Sequence, residues 1–430
     1  MAIQELGTQS VLYDVSRPFL WELRSTSGAT NIVYKVQKYN FTANNWQNIT
    51  GLLRQPYTWS NNMRFYIDPS QILIDYVKTN IRGLEEGGSL YLPDNYIWWR
   101  LTCVEEFTDS DGYLYYNTNQ SQWYNTNSAY AIDGATTHSQ TFGKTQYNWI
   151  DMCRITSLTG LEEGRFLSNR PNGDRYSRMT LCKSESDYIH AFVLASGVKL
   201  IGNVTLANGV TSADIDLSGP LPKGVNSLGV GPQNIIDFIG GSVWDAYESS
   251  HLITEICYWL ENDTGVQVTP ANCYEVKRNC CTQERCRVYW KNRKGGIDGY
   301  TFDAELIEET TIKSKVFQRR LGYRRHESED ELSLGFQQNN TFGQKTRIRG
   351  SVNIKAQDTL TVTSRHEASI ILNWLSEIYT SPKIWIESPD NGELQAAVCT
   401  SKKAVRKYKG KKTGQMKLAL QLSNQVITQR

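Results

Sequence analysis

ERCRVYWKNRKGGIDGYTF, residues Glu284–Phe302, sets the architecture of this chain. Arg285–Trp290 is rich in β-branched and aromatic residues and reads as a strand, Lys291–Gly296 is polar and ends in a glycine pair, and Ile297–Phe302 reads as the returning strand. Glycine reaches the positive φ angles of a tight reversal without a Cβ clash, so this pattern predicts a hairpin. It stands between a long β-rich N-terminal part and a C-terminal part of different pattern. The polar tip, Lys291, Asn292, Arg293 and Lys294, lacks a core-like pattern and is a candidate subunit contact.

On its N-terminal side the alternation predicts a second β-sandwich domain over 175–310, with strands at Val198–Leu206, Thr211–Leu217, Ser227–Val230 and Leu252–Leu260. Arg170-Pro-Asn-Gly-Asp174 is a turn signal, and Ser184 with Asp187 three residues on predicts a capped short helix. A first β-sandwich domain over 17–107 carries strands at Phe19–Arg24, Asn31–Tyr39, Met63–Ile67 and Tyr96–Val104. Asp68-Pro69 opens a short helix there, because Asp caps well and Pro fits the first helical position; Ile72, Leu73, Tyr76 and Val77 form its buried stripe. Residues 1–16 form an N-terminal segment, and 108–174 an aromatic loop and connecting region.

On the C-terminal side, 311–430 reads as a β domain carrying one longer helix, 364–379. Ser364 and Glu367 make a capping box, Ile370, Ile371, Trp374, Leu375 and Ile378 recur at helical spacing, and Ser381-Pro382 ends the run. Strands are predicted at Ser351–Thr363, Lys383–Glu387, Ala396–Thr400 and Met416–Leu422. The fold class is therefore mainly β, with several β-sandwich domains, a few short helices and one longer helix near the C-terminus.

The chain has 430 residues, too many for one core, so about two to four domains are expected. Its 24 Tyr and 12 Trp suit strands and wet protein interfaces. A net charge of +2 argues against a dedicated nucleic-acid binder or an anionic membrane surface, and no apolar run approaches a membrane span. The start shows no signal-peptide pattern. An odd count of nine Cys argues for folding in a reducing cytoplasm with thiols free.

Chemistry-bearing motifs are sparse. Cys273, Cys280, Cys281 and Cys286 could supply four thiolates to a structural zinc, but the spacing lacks paired two-residue knuckles, so gap-filling free thiols are the preferred reading and no cofactor is expected. The five His are scattered, adjacent carboxylates such as Glu308/Glu309 point to opposite strand faces, and Gly229-Val-Gly231 lacks the following Lys-Ser/Thr and the strand–loop–helix setting of a phosphate loop. The aromatic stretch with Tyr113, Tyr115, Tyr116, Trp123 and Tyr124 could stack on sugars, but the same mixture serves protein contact loops. Arg319, Arg320, Arg324 and Arg325 beside Glu329, Asp330 and Glu331 form a mixed-charge segment, either a solvated face or an ion-pairing surface between subunits. Lys402, Lys403, Lys407 and Lys409 lie in a basic hairpin that could touch phosphate or meet an acidic neighbouring subunit.

Several segments together are similar to a known group. RFLSNRP at Arg165–Pro171, LGVGPQNI at Leu228–Ile235, ITEICYWLE at Ile253–Glu261 followed by RVYWKNRKGGIDGYTF, and the helix-then-SPKIWIE piece at Ile370–Glu387 resemble structural proteins of the tail and neck of bacteriophages infecting Bacteroidetes hosts, including the crAss-like podoviruses. The N-terminal half, with RFYIDPSQIL, fits more loosely, and Cys280-Cys281 departs from the pattern. The resemblance implies a virion tail protein, not an enzyme, assembled in the host cytoplasm. Copies would form a homo-oligomeric ring between portal and distal tail, with other tail or portal proteins as neighbours and indirect contact with packaged DNA. A receptor- or glycan-binding tail protein is the alternative.

Overall fold

The computed structural model describes residues 3–5, 12–15, 19–57, 64–78, 89–116, 123–132, 153–156, 164–173, 178–249, 251–278, 285–318, 349–387, 393–401, 413–423 and 427–429. About half of the chain is strand, arranged in several sandwich-like sheets, and the helices are few. The mainly β class follows from the alternation along the strands. In Trp21–Ser25 and Arg64–Ile67 every second residue is buried, so each strand offers one apolar face and must cover it with another sheet.

The N-terminal unit is such a pair. A three-stranded sheet of Ile3–Glu5, Trp21–Ser25 and Arg64–Ile67 faces an eight-stranded sheet centred on Asn31–Asn40 and Tyr96–Thr108, which pair antiparallel from Asn31↔Glu106 to Lys38↔Trp99. Trp21, Leu23, Phe65 and Ile67 meet Ile32, Val36, Trp99 and Leu101 between them, with Trp21 edge-on to Trp99 at 4.9 Å. The unit takes in more than residues 17–107. Ile3–Glu5 pairs with Trp21–Ser25, and Leu12–Asp14, Tyr124–Asn125 and Ala129–Ile132 join the eight-stranded sheet. The expected limits at 16/17 and 107/108 therefore fall inside sheets.

A four-stranded sheet (Arg154–Ile155, Tyr188–Val193, Gly224–Gly229, Ser89–Tyr91) and a five-stranded sheet (Met179–Cys182, Asn272–Lys277, Ile253–Glu261, Lys199–Leu206, Ile215–Pro220) form the middle layer. Ile189, Ala191 and Val193 share a core with Leu181, Leu200, Ile256 and Leu260. The third unit is an eight-stranded sheet in which seven strands run in the order Ile297–Phe302, Cys286–Lys291, Ile384–Glu387, Leu394–Cys399, Lys417–Leu422, Arg349–Thr363, Glu305–Gln318, and the eighth, Ile427–Gln429, also pairs with Arg349–Thr363. The hairpin of Glu284–Phe302 is present as expected, with Cys286↔Phe302 to Lys291↔Ile297 in register. It opens this third sheet and does not close the middle one, because Arg287–Trp290 pairs with Ile384–Glu387. The expected boundary at 310 cuts that sheet, and one apolar core runs from Ile155 to Leu420 through both layers.

The C-terminal helix occupies Ser369–Leu375 and continues as a 3₁₀ turn through Thr380. Ile371, Leu372, Trp374, Leu375 and Ile378 are buried, whereas Ile370 is 51% exposed. The capping box at Ser364 does not form. Ser364 Oγ accepts from the Met416 amide, and Glu367 lies in a two-residue strand against Thr413–Gly414, its carboxylate accepting from Tyr300 Oη at 2.7 Å. Tertiary partners outcompete the local cap. The helix predicted from Ser184 is likewise absent: Tyr188–Val193 is a fully buried strand and Asp187 serves two arginines. The short helix after Asp68 does form, Ser70–Leu73, but Pro69 holds the N-cap position, one residue later than expected, with Asp68 Oδ1 accepting from the Ser70 amide at 3.0 Å; of the expected stripe Leu73 and Val77 are buried, whereas Tyr76 is exposed.

Two helices, Pro232–Ile239 and Gly241–Glu248, follow strand Gly224–Gly229. Gly229–Gly231 thus does sit in a strand–loop–helix setting, contrary to the sequence reading. The helix start is closed by protein: Gln233 N donates to Glu185 O, and Asn234 Oδ1 accepts from the amides of Asp187 and Gly231. A Cβ on Gly231 would lie 2.3 Å from the Asp187 nitrogen, so glycine there permits close packing of chain on chain.

Candidate functional site

Where the segment 164–173, strand Tyr188–Val193, the central hairpin and the C-terminal helix meet, the apolar core gives way to a buried polar junction. Asp187, fully buried, lies at its centre. Arg170 grips its carboxylate with both terminal nitrogens, and Arg287 adds a third contact to Oδ1. Arg287 also donates from Nε to Tyr289 Oη at 3.0 Å and from Nη1 to Thr301 Oγ1 at 2.9 Å, while Arg170 stands over the Trp374 ring at 5.4 Å. Burial works against both guanidinium charges. Burial is the largest single effect on each, but the surrounding groups together exceed it, Asp187 with Tyr258 and Asp298 around Arg170, and Tyr289 with Asp187, Glu185 and Glu387 around Arg287, so both sit above the ordinary arginine value. Trp374 Nε1 donates to Asp298 Oδ2 at 2.8 Å, and burial raises the Asp298 pKa, offset in part by Arg170.

The tip of the central hairpin is part of this junction. Lys291 and Asn292 are 2% and 0% exposed. Asn292 Nδ2 donates to Leu167 O at 2.7 Å, its Oδ1 accepts from the Lys294 and Gly296 amides, Lys294 Nζ donates to Ser168 O at 2.8 Å, and the Arg293 amide reaches Glu377. The expectation that Lys291, Asn292, Arg293 and Lys294 face a neighbouring subunit is corrected for the first two, which are buried within the chain itself, Asn292 against Leu167 and Lys291 beside Ser381 and Lys383. Their polarity reflects an intramolecular socket, in which each buried polar group needs a partner.

Beside the junction is a cavity of about 230 Å³. Arg170, 4% exposed at the side chain, forms part of its wall with Arg165, Lys294, Ser168 and Asn272, and the exposed Asn169 and Asn172 also line it. No Asp or Glu lines it among the described residues.

The cysteines correct the expectation of free thiols. Cys257 and Cys273 lie directly opposite on paired strands, Cα to Cα 4.1 Å, and are joined in a disulfide; Cys182 is disulfide-bonded too. Cross-strand register brings together residues whose sequence separation gives no hint of it. Cys286 is a buried free thiol in another sheet, its pKa pushed up to about 12 by burial. Cys273 and Cys286 therefore do not share a metal site, and Cys280 and Cys281 lie outside the described residues. Glu255 is close enough to Cys257 and Cys273 to form a ligand-like trio, but those two sulfurs are bonded to each other.

Among the surface candidates, Tyr113 and Tyr115 are 72% and 55% exposed on the hairpin formed by Leu114–Tyr116 against Tyr96–Thr108. Tyr116 sits edge-on to Trp123, which carries Lys35 over its ring, and Tyr124 is half-buried with its hydroxyl directed at Glu5. Arg319, Arg320, Arg324, Arg325, Glu329, Asp330, Glu331, Lys402, Lys403, Lys407 and Lys409 lie outside the described residues.

Two features escaped the sequence reading. One is the Arg170–Asp187–Arg287 knot; an arginine inside the otherwise apolar run of Cys286–Trp290 was its one signal. The other is an aromatic ladder on the outer face of the N-terminal sheet. Trp98 lies 4.5 Å from Tyr39, 5.2 Å from Trp46 and 5.8 Å from Tyr130, and Arg100 stacks over Trp46 at 4.3 Å. Trp98 and Arg100 fall on the alternate positions that oppose the core-facing Trp99 and Leu101.

A last structural feature is an arm. Strands Glu305–Gln318 and Arg349–Thr363, of 14 and 15 residues, pair along their length. The second is flanked by Lys417–Leu422 at Thr359–Thr363 and by Ile427–Gln429 at Ile354–Ala356. From Lys315↔Val352 to Gln318↔Arg349 the pair has no third strand among the described residues. No helix among the described residues is long and apolar enough to cross a membrane. The chain matches no protein-family model and no curated protein sequence.

Proposed function

We propose that this chain is a structural protein of a bacteriophage virion whose copies assemble into a ring in the tail, around the DNA channel, with other tail or portal proteins above and below. The arm is the observation that carries the reading. A two-stranded ribbon is at best marginally stable in water by itself, and Glu305–Gln318, the edge strand of its sheet among the described residues, has an outer side on which a further chain could pair. A neighbouring copy pairing there adds a third strand, and head-to-tail contacts of this kind form rings when their rotation closes. The resemblance of Arg165–Pro171, Leu228–Ile235, Ile253–Glu261, Arg287–Phe302 and Ile370–Glu387 to phage tail and neck proteins supports the same reading. So does the buried knot, which ties segments from distant parts of the chain into a stiff body suited to transmitting load.

Replacing residues 315–352 by a short Gly-Ser turn tests it. The expected product keeps its circular dichroism spectrum but stays monomeric by light scattering, where the parent chain forms closed rings visible by electron microscopy. Rings formed equally well without the arm would refute the proposal, as would a parent chain that remains monomeric at high concentration. A receptor- or glycan-binding role is the second reading, favoured by the exposed Tyr113 and Tyr115 and by the ladder around Trp98; saturable binding to a glycan array that is lost in Tyr113→Ala/Tyr115→Ala would select it.

A further inference from the structure

We infer that the cavity beside the Arg170–Asp187 pair is a binding site for a small oxyanion, a molecule bearing phosphate or carboxylate groups. Its wall carries three cationic side chains, Arg165, Arg170 and Lys294, and no carboxylate among the described residues. Arg170 is nearly fully buried, and the acid it grips, Asp187, is shared with Arg287. The carboxylates that act on the two guanidiniums, Asp187 and Asp298 among them, are not among the residues that line the cavity, so its described wall presents cationic and neutral polar groups. Cations held away from water are stabilised by an anion that accepts charge-assisted hydrogen bonds.

The size narrows the ligand. At about 230 Å³ the cavity is smaller than the roughly 300–1,000 Å³ of pockets that take drug-sized ligands. Ser168, Asn169 and Asn272 on the wall provide neutral hydrogen-bonding groups, which suit hydroxyls on a compact anion. The exposed Asn169 leaves a way in from solvent, and Arg170 provides the charge at depth. The site does not depend on the proposed role in a virion.

The test uses the full chain, with inorganic phosphate and citrate as separate probes, titrated by calorimetry at fixed ionic strength against chloride; phosphorus NMR line broadening gives an independent reading of the first. Saturable binding of phosphate alone assigns a phosphate-bearing ligand, and of citrate alone a carboxylate-bearing one. Arg165→Gln/Lys294→Gln leaves Arg170 and its knot intact and is expected to weaken binding at least about tenfold, with the near-ultraviolet dichroism unchanged. Failure of both probes to bind saturably overturns the inference, and so does binding of equal strength in the double variant.

Discussion

At the scale of single residues, Asp187 joins three distant parts of the chain through two buried arginines. It is fully buried between Arg170 and Arg287, which are 4% and 6% exposed. Removing its charge strands two buried guanidiniums, so Asp187→Asn is expected to cost about 3–5 kcal/mol in urea unfolding. A loss below about 1 kcal/mol would show that the arginines find other partners. Glu367 makes a different prediction, about pH. Burial raises its pKa above the ordinary 4.5, against the lowering effects of the Tyr300 hydrogen bond and Arg365. The native state therefore holds this proton more tightly than the unfolded chain. Its contribution is intact below the ordinary value and is lost as pH rises from about 4.5 through the folded value. Glu367→Gln keeps an acceptor for Tyr300 and removes the titration, so the variant should lose less stability than the parent as pH rises above about 4.5; identical slopes in a series of melting curves would contradict this. Neither residue's role was legible in sequence, where both resembled helix caps. A local capping pattern says what a residue can do with its own backbone, not which distant group will claim it first.

At the scale of elements, the central hairpin shows how far alternation reaches. Strand, turn and strand were all readable from Arg285 to Phe302, because composition and the glycine pair are local properties. What its tip touches was not. Gly296 closes against the 164–173 segment so tightly that a Cβ would stand 2.2 Å from the Leu167 carbonyl. Gly112, in the exposed turn before Tyr113, has φ +84° and open space around it. The two glycines are thus required for different reasons. Gly296→Ala should cost about 1–3 kcal/mol through backbone displacement and weaken the junction. Gly112→Ala should cost about 1–2 kcal/mol from its left-handed backbone alone and leave the rest of the molecule unperturbed in NMR spectra. If the chemical shifts of Leu167 and Ser168 do not move in Gly296→Ala, the docking described here is wrong.

At the scale of the whole molecule, the middle and C-terminal layers share one core from Ile155 to Leu420. A fragment of residues 175–310 keeps the central hairpin but loses Ile384–Glu387, its partner strand, and Trp374, which packs on Trp290 at 5.0 Å. Such a fragment is expected to be insoluble or unfolded by circular dichroism, and a dispersed NMR spectrum from it would restore the idea of an independent middle domain. Boundaries drawn from turns and composition fell inside sheets for this reason: a change of pattern along the chain marks a change of element, whereas a domain is defined by which faces bury each other.

The sequence by itself determined the mainly β class and the place of most strands, since period-two burial is written residue by residue. It also located the helix near the C-terminus, from the spacing of Ile371, Trp374, Leu375 and Ile378. Only the tertiary structure decided that Cys257 meets Cys273, that Asp187 binds two arginines, and that the hairpin tip plugs its own chain. Each depends on register between segments far apart in sequence, and hydrogen bonds and ion pairs of that kind are chosen by proximity in space.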